Sequence, residues 1–151
     1  MRRTSVLLVA ILSACGAPAT PARPVSVVIA ARGGPVTIRA EVAATLDQRE
    51  RGLMGRRSLA PDTGMLFVFP GRVRVGFWMK DTLIPLDVAF IAGDRIVEVD
   101  TMTPCTTADC PLTTPAVAYD RALEVTGGLF TQLAIGTGAA VKVIGTLPDA
   151  S

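Results

Sequence analysis

Val36-Thr37-Ile38-Arg39-Ala40-Glu41-Val42 alternates apolar and polar residues without a break, the period of a strand with one buried face. Before it, Val25 to Ile29 is a short β-branched run, and Arg32-Gly33-Gly34-Pro35 supplies the turn chemistry between the two. Together they predict a hairpin. The period then changes. Thr45-Leu46-Asp47-Gln48 fits a capping box, in which the Thr45 hydroxyl and the Gln48 side chain satisfy free amides at a helix start. The expected helix runs from about Leu46 to Met54, with Leu46 and Leu53 on one face and Gly55 just past its end.

After the turn residues "APDTG" at 60–64 comes "MLFVF", a continuous apolar run of the length of a strand buried on both sides, expected at the centre of the core. From Arg72 to Lys80 alternation returns: Val73, Val75, Phe77 and Met79 share one parity, Arg72, Arg74, Gly76, Trp78 and Lys80 the other. Read as one unbroken strand, the segment points Trp78 and Lys80 away from the Phe77/Met79 layer, and bare Gly76 leaves space beside the indole. Leu86, Val88 and Phe90 alternate with Asp87, Ala89 and Ile91, which sets Asp87 opposite the strand's apolar layer. The turn Ala92-Gly93-Asp94-Arg95 leads to a strand from Ile96 to Asp100. Further strands are expected near Ala118 to Val125 and Ala140 to Ile144, with a helical turn after Gly127-Gly128. Many short strands with regular turns predict a mainly β chain, a compact β-sandwich or partly closed barrel with one or two short helices.

The first residues, "MRRTSVLLVAILSAC", follow a different logic. A basic start, an apolar stretch from Val6 to Leu12 and small residues before a cysteine read as an export signal over residues 1–14. The apolar stretch is too short to span a bilayer, which takes about 20 residues. Leu12-Ser13-Ala14-Cys15 resembles a bacterial lipobox, which implies lipid on Cys15 and membrane association through that lipid. Gly16 after the cysteine, where an aspartate would favour retention, implies the outer membrane facing the periplasm. Pro18, Pro21 and Pro24 make residues 15–24 a tether that cannot be helical. The single β domain is expected over residues 25–147.

Removing the signal changes the charge. Without Arg2 and Arg3 the 15 basic residues fall to 13, matching the 13 acidic ones, so a general nucleic-acid role loses its support. Charge is still segregated: seven basic residues lie between Arg49 and Lys80, eight acidic ones between Asp81 and Glu124, and the two segments are expected to pair in the fold. Cys105 and Cys110 remain as an even pair, and an exported chain favours a disulfide between them. Their spacing is not that of a C-x-x-C redox motif, and two thiolates without histidine leave a zinc tetrahedron half empty.

Several stretches taken together, "RERGLMGRRSL", "GMLFVF", "FWMKDTLIPLDVAFI", "MTPCTTADCP" and "ALEV" followed by glycine, resemble the bacterial and archaeal family Domain of Unknown Function 192. The resemblance runs from about Val36 to Ile144. It implies a compact, mainly β, sandwich-like domain, often exported, with no established enzymatic activity and no cofactor. Carried over to this chain, the family's polar motif positions are Arg51, Lys80, Thr82 and Asp87, with Trp78 beside them. Asp81 departs from the asparagine usual after "FWMK", and a carboxylate there either weakens an anion site built on Lys80 or creates a paired acid for a polyol.

A tryptophan face beside a donor and an acceptor suits a small polar or glycan ligand, so Arg51, Trp78, Lys80, Thr82 and Asp87 form the candidate binding set, with no catalytic residue and no metal assigned. The competing arrangement is structural, with Trp78 capping the core and Lys80 and Asp87 as a buried ion pair. Catalysis on envelope glycans through Asp81 and Asp87 is the enzymatic alternative. A chain without histidine, G-x-S-x-G or a phosphate-binding glycine loop gives it little support. Met54, Met65, Met79 and Met102 suggest periplasmic handling of a soft metal ion, though methionine more often fills cores. The sequence names no protein partner.

Overall fold

The computed structural model describes residues 23–151. The signal at 1–14, lipid attachment at Cys15 and most of the tether lie outside the described residues. The chain order is β1 (Val25–Ala31), β2 (Gly34–Ala43), α1 (Leu46–Arg51), β3 (Thr63–Val73), β4 (Phe77–Trp78), β5 (Leu86–Ala92), β6 (Arg95–Met102), β7 (Leu112–Thr113), β8 (Tyr119–Thr126), α2 (Leu129–Gln132) and β9 (Val141–Ile144).

Seven strands form one sheet in the order β6-β5-β8-β3-β2-β1-β9. The predicted hairpin is β1–β2, and "MLFVF" lies in β3, the middle strand. Within this sheet, among the described residues, β2 and β3 are the one parallel pair, because α1 and the loop after it carry the chain across. The sheet curls until its two edges touch at one corner, where the Ile96 amide donates to the Ala139 carbonyl (3.0 Å) and the Val141 amide to Asp94 (2.8 Å). The fold is therefore mainly β in its barrel-like form, a half-barrel with two short helices.

Each face of the sheet carries its own core. Residues from all seven strands, among them Val27, Ile38, Leu66, Ala89, Ile96, Leu123 and Val141, fill the concave side with Phe130 of α2. The opposite side holds Met65, Phe67, Leu86, Val88, Phe90, Tyr119 and Ala122, covered by Leu53, Phe77 and Met79 from the connecting segments. β5 is buried on both faces, so its alternation separates two cores rather than core from solvent. Asp87 thus points into the concave side and is 1 % exposed. Its carboxylate accepts from Thr101 Oγ1 (2.7 Å) and from the amides of Gly128 and Phe130 (2.9 Å each). It caps α2, which has no side-chain cap of its own.

Three local expectations change. The helix after the capping box ends at Arg51, because Gly52 turns to φ 45° and directs Leu53 into the core. Leu46, expected on the same buried face, is exposed. Residues 72–80 are not one strand: β3 ends at Val73, and β4 pairs with β7 in a separate two-stranded sheet. Alternation survives locally, with Phe77 and Met79 buried and Trp78 and Lys80 exposed. The space left by Gly76 is taken by β7 and the residue after it, since a Cβ there would stand 2.5 Å from Thr114 Oγ1 and 3.2 Å from Leu112 Cβ. The basic and acidic segments do not pair either. Among the described residues the two ion pairs are Arg56–Glu41 and Arg121–Asp120, and neither joins the segments.

Candidate functional site

On the convex side, α1 and the loop after it, the outer half of β3, and the β4–β7 ribbon enclose a cavity of about 450 Å³. Each wall has a local cause. α1 is fixed by its capping box and by Arg49, whose guanidinium donates to the carbonyls of Ala44, Val68 and Ser151 and stacks on Phe69, 5.1 Å from the ring centroid. Gly52 ends the helix against Phe67, whose Cζ would lie 3.3 Å from a Cβ at that position. Pairing of β3 with β8 shifts register after Val68. The chain then bends over Tyr119, whose hydroxyl donates to the Val75 carbonyl (2.7 Å). Burial pushes the Tyr119 phenol well above its ordinary range, so it remains a donor.

The ribbon is held from the other side by a disulfide between Cys105 and Cys110, with Cα atoms 5.8 Å apart. Cys105 bridges to both Lys80 and Thr82, and the loop it closes delivers Leu112 to the cavity opposite Trp78. Closing so short a loop stabilises the fold by about 2 kcal/mol. The Cys105→Ala/Cys110→Ala variant is therefore expected to lose about that much in urea unfolding. A loss below a few tenths would mean the loop is held without the bond.

The cavity is lined chiefly by Leu53, Met54, Phe67, Phe69, Phe77 and Leu112. Phe67 and Phe77 meet edge to face with centroids 4.9 Å apart. At its floor stands Glu124 of β8, flanked across the ladder by Met65 and Val88 and 4 % exposed. No hydrogen bond or ion pair reaches its carboxyl among the described residues. No described side-chain polar atom is sealed off without a partner, so the Glu124 oxygens open into the cavity. Burial in this apolar setting raises its pKa to about 8, and the carboxyl is neutral at pH 7.

The expected site residues divide. Arg51, Trp78 and Thr82 line this cavity, Thr82 from a buried position and Trp78 from the rim at 44 % exposure. Lys80 is exposed, its Nζ 5.5 Å from the Trp78 ring centroid. Asp87 belongs to the opposite face, tied to α2, and forms no ion pair with Lys80. Asp81 is exposed, with φ 54°, and faces no carboxylate partner across the cavity. Met65, Met79 and Met102 are buried as core filling. The buried acid of the cavity is Glu124, missing from the expected set although it lies within "ALEV". Its signal was a carboxylate at a position sharing parity with Ala122 in a strand covered on both sides.

Over residues 27–143 the sequence matches the family Domain of Unknown Function 192, described as "Uncharacterized ACR". A crystal structure of a protein of unknown function from Novosphingobium aromaticivorans is similar, with 30 % identity, TM-score 0.71, and coverage of 83 % of this chain and 94 % of that one. A second, from Sinorhizobium meliloti and described provisionally as a transcription regulator, shares 29 % identity with TM-score 0.73, covering 84 % and 98 %. No curated protein matches the sequence.

Proposed function

From the premise that this chain belongs to the Domain of Unknown Function 192 family, we propose that it is a non-catalytic binding module, carried on a lipid anchor at Cys15 in the outer membrane and holding one small, largely apolar molecule. The observation that supports binding is the cavity with a carboxyl at its floor that has no partner among the described residues, and the lipobox-like Leu12-Ser13-Ala14-Cys15 supports the anchor. Its size falls within the range of ligand sites, about 300–1,000 Å³, and so does its composition, apolar walls with few polar groups. A glycan fits less well. Only Glu124 and Thr82 are polar in its depth, and each sugar hydroxyl left unpaired there costs about 1–3 kcal/mol.

Catalysis through Asp81 and Asp87 loses its geometry, since Asp87 spends its oxygens on Thr101, Gly128 and Phe130. The regulator description given to the Sinorhizobium protein finds no counterpart in charge, because Arg23 to Ser151 carries 13 basic and 13 acidic residues.

Binding is tested with N-phenyl-1-naphthylamine, whose fluorescence rises in apolar sites. The parent is expected to bind it, and Met54→Trp, which fills the cavity from a half-buried wall position, to weaken binding about tenfold. Equal binding by both proteins would place the dye elsewhere and remove the cavity's claim. The anchor is tested separately. Cys15→Ser is expected to move the protein from the membrane to the soluble fraction of cells, and retention in the membrane fraction would refute lipid attachment.

A further inference from the structure

The floor of the cavity narrows the ligand to a chemical class, an inference that rests on the binding reading above. Glu124 offers two oxygens that nothing in the described fold uses, opening into an otherwise apolar space. We propose that the cavity selects neutral molecules whose apolar body ends in a paired hydrogen-bond donor and acceptor, a carboxamide being the simplest, inserted head-first onto the Glu124 carboxyl.

The pairing follows from the state of that carboxyl. Burial keeps it protonated at neutral pH, so it presents one O–H donor and one carbonyl acceptor side by side. A primary amide presents the matching acceptor and donor, and the two close a ring of two hydrogen bonds. Both partners are neutral, so neither brings the desolvation cost of a buried charge. The Thr82 hydroxyl also lines the cavity; its proton goes to the Lys80 carbonyl (3.4 Å), which leaves an acceptor free.

Other classes meet specific obstacles. The charged groups lining the cavity besides Glu124 are Arg49, Glu50 and Arg51, all on α1. From β3, Met65, Phe67 and Phe69 face this side, from β4 Phe77, and from β5 Val88, none of them charged. Two guanidiniums against one carboxylate disfavour an ammonium ligand, which also pays its own desolvation. A carboxylate ligand would be drawn head-outward toward Arg51, with its affinity independent of Glu124. Asp87 does not enter, because it lies on the concave side.

The test is calorimetric titration of the parent, Glu124→Gln and Glu124→Leu with 4-phenylbutanamide, 4-phenylbutylamine and 4-phenylbutanoate, at pH 6.5 and pH 9.5. The amide is expected to bind the parent about tenfold more tightly than the amine at pH 6.5 and to weaken about tenfold at pH 9.5, where Glu124 ionises. Glu124→Gln keeps a donor and an acceptor, so it should bind the amide within about threefold of the parent and lose the pH dependence. Glu124→Leu should lose about tenfold or more. The class assignment is overturned if the amine is preferred, if the butanoate matches the amide, or if Glu124→Leu binds the amide as the parent does. Should none of the three probes bind any of the proteins at either pH, the binding reading itself fails and takes this inference with it.

Discussion

Glu124→Gln is expected to stabilise the protein at pH 7 by about 3 kcal/mol and to flatten its pH dependence. In the fold the carboxyl holds its proton to about pH 8, against an ordinary value of 4.5. Below pH 4.5 the folded and unfolded chains are both protonated at this position, and burial costs nothing in ionisation. Between 4.5 and 8 the unfolded chain releases the proton while the folded one keeps it, so stability falls by about 1.4 kcal/mol for each pH unit. Above 8 both states are ionised and the penalty levels off. Glutamine has nearly the same shape and no proton to lose, so it removes the penalty without opening a hole. Urea unfolding of both proteins at intervals from pH 4 to pH 8 reads the difference directly, and effects of other titrating groups cancel in it. Parallel profiles would show that the carboxyl is not held neutral.

A residue that lowers stability at neutral pH and has no partner among the described residues does not support the fold, and that is the ground of the binding proposal. The same inference does not extend to Tyr119 or Thr101, whose polar atoms are used inside the protein. It is the contrast within one sheet that singles out Glu124.

Much of the sheet was legible because β1 and β2, which lie inside it, carry a strand pattern in their own residues. Val36 to Val42 and Val25 to Ile29 carry the period of β strands, and Thr45 with Gln48 makes both bonds of the capping box. The site was legible only in part. Arg51, Trp78 and Thr82 were marked by motif and do meet at the cavity. Asp87 lies on the face away from the cavity and Glu124 lines it, for a physical reason: in a sheet buried on both sides parity separates two cores and does not say which one carries the cavity. The β4–β7 ribbon was illegible, since two-residue strands show no period and their partners lie more than 30 residues apart in the chain. The alternation makes Gly76 room for the indole, whereas the close approach it permits is that of Thr114.

Asp87→Ala is expected to destabilise the protein by about 4 kcal/mol. The carboxylate accepts three hydrogen bonds, one from Thr101 Oγ1 and two from the amides of Gly128, the N-cap of α2, and Phe130. Bonds to a charged acceptor are worth about 1.5–3 kcal/mol each, and the Phe130 amide is buried where water cannot replace it. α2 has only four residues and an N-cap glycine without a side chain, so it has little stability of its own. Losing the anchor should also free Phe130 and Ile135 from the concave core. Asp87→Asn separates charge from shape: it keeps one acceptor but turns an NH2 toward a donor, and a loss of about 2–3 kcal/mol is expected. Urea unfolding measures both, and a loss under 1 kcal/mol for alanine would disprove the capping role. Binding at the cavity, measured with folded Asp87→Asn well below its unfolding midpoint, should stay within about twofold of the parent, because a concave-side anchor reaches the convex side only through global stability. A much larger loss of binding at intact fold would instead make Asp87 part of the site, and the division of labour between the two faces would have to be redrawn.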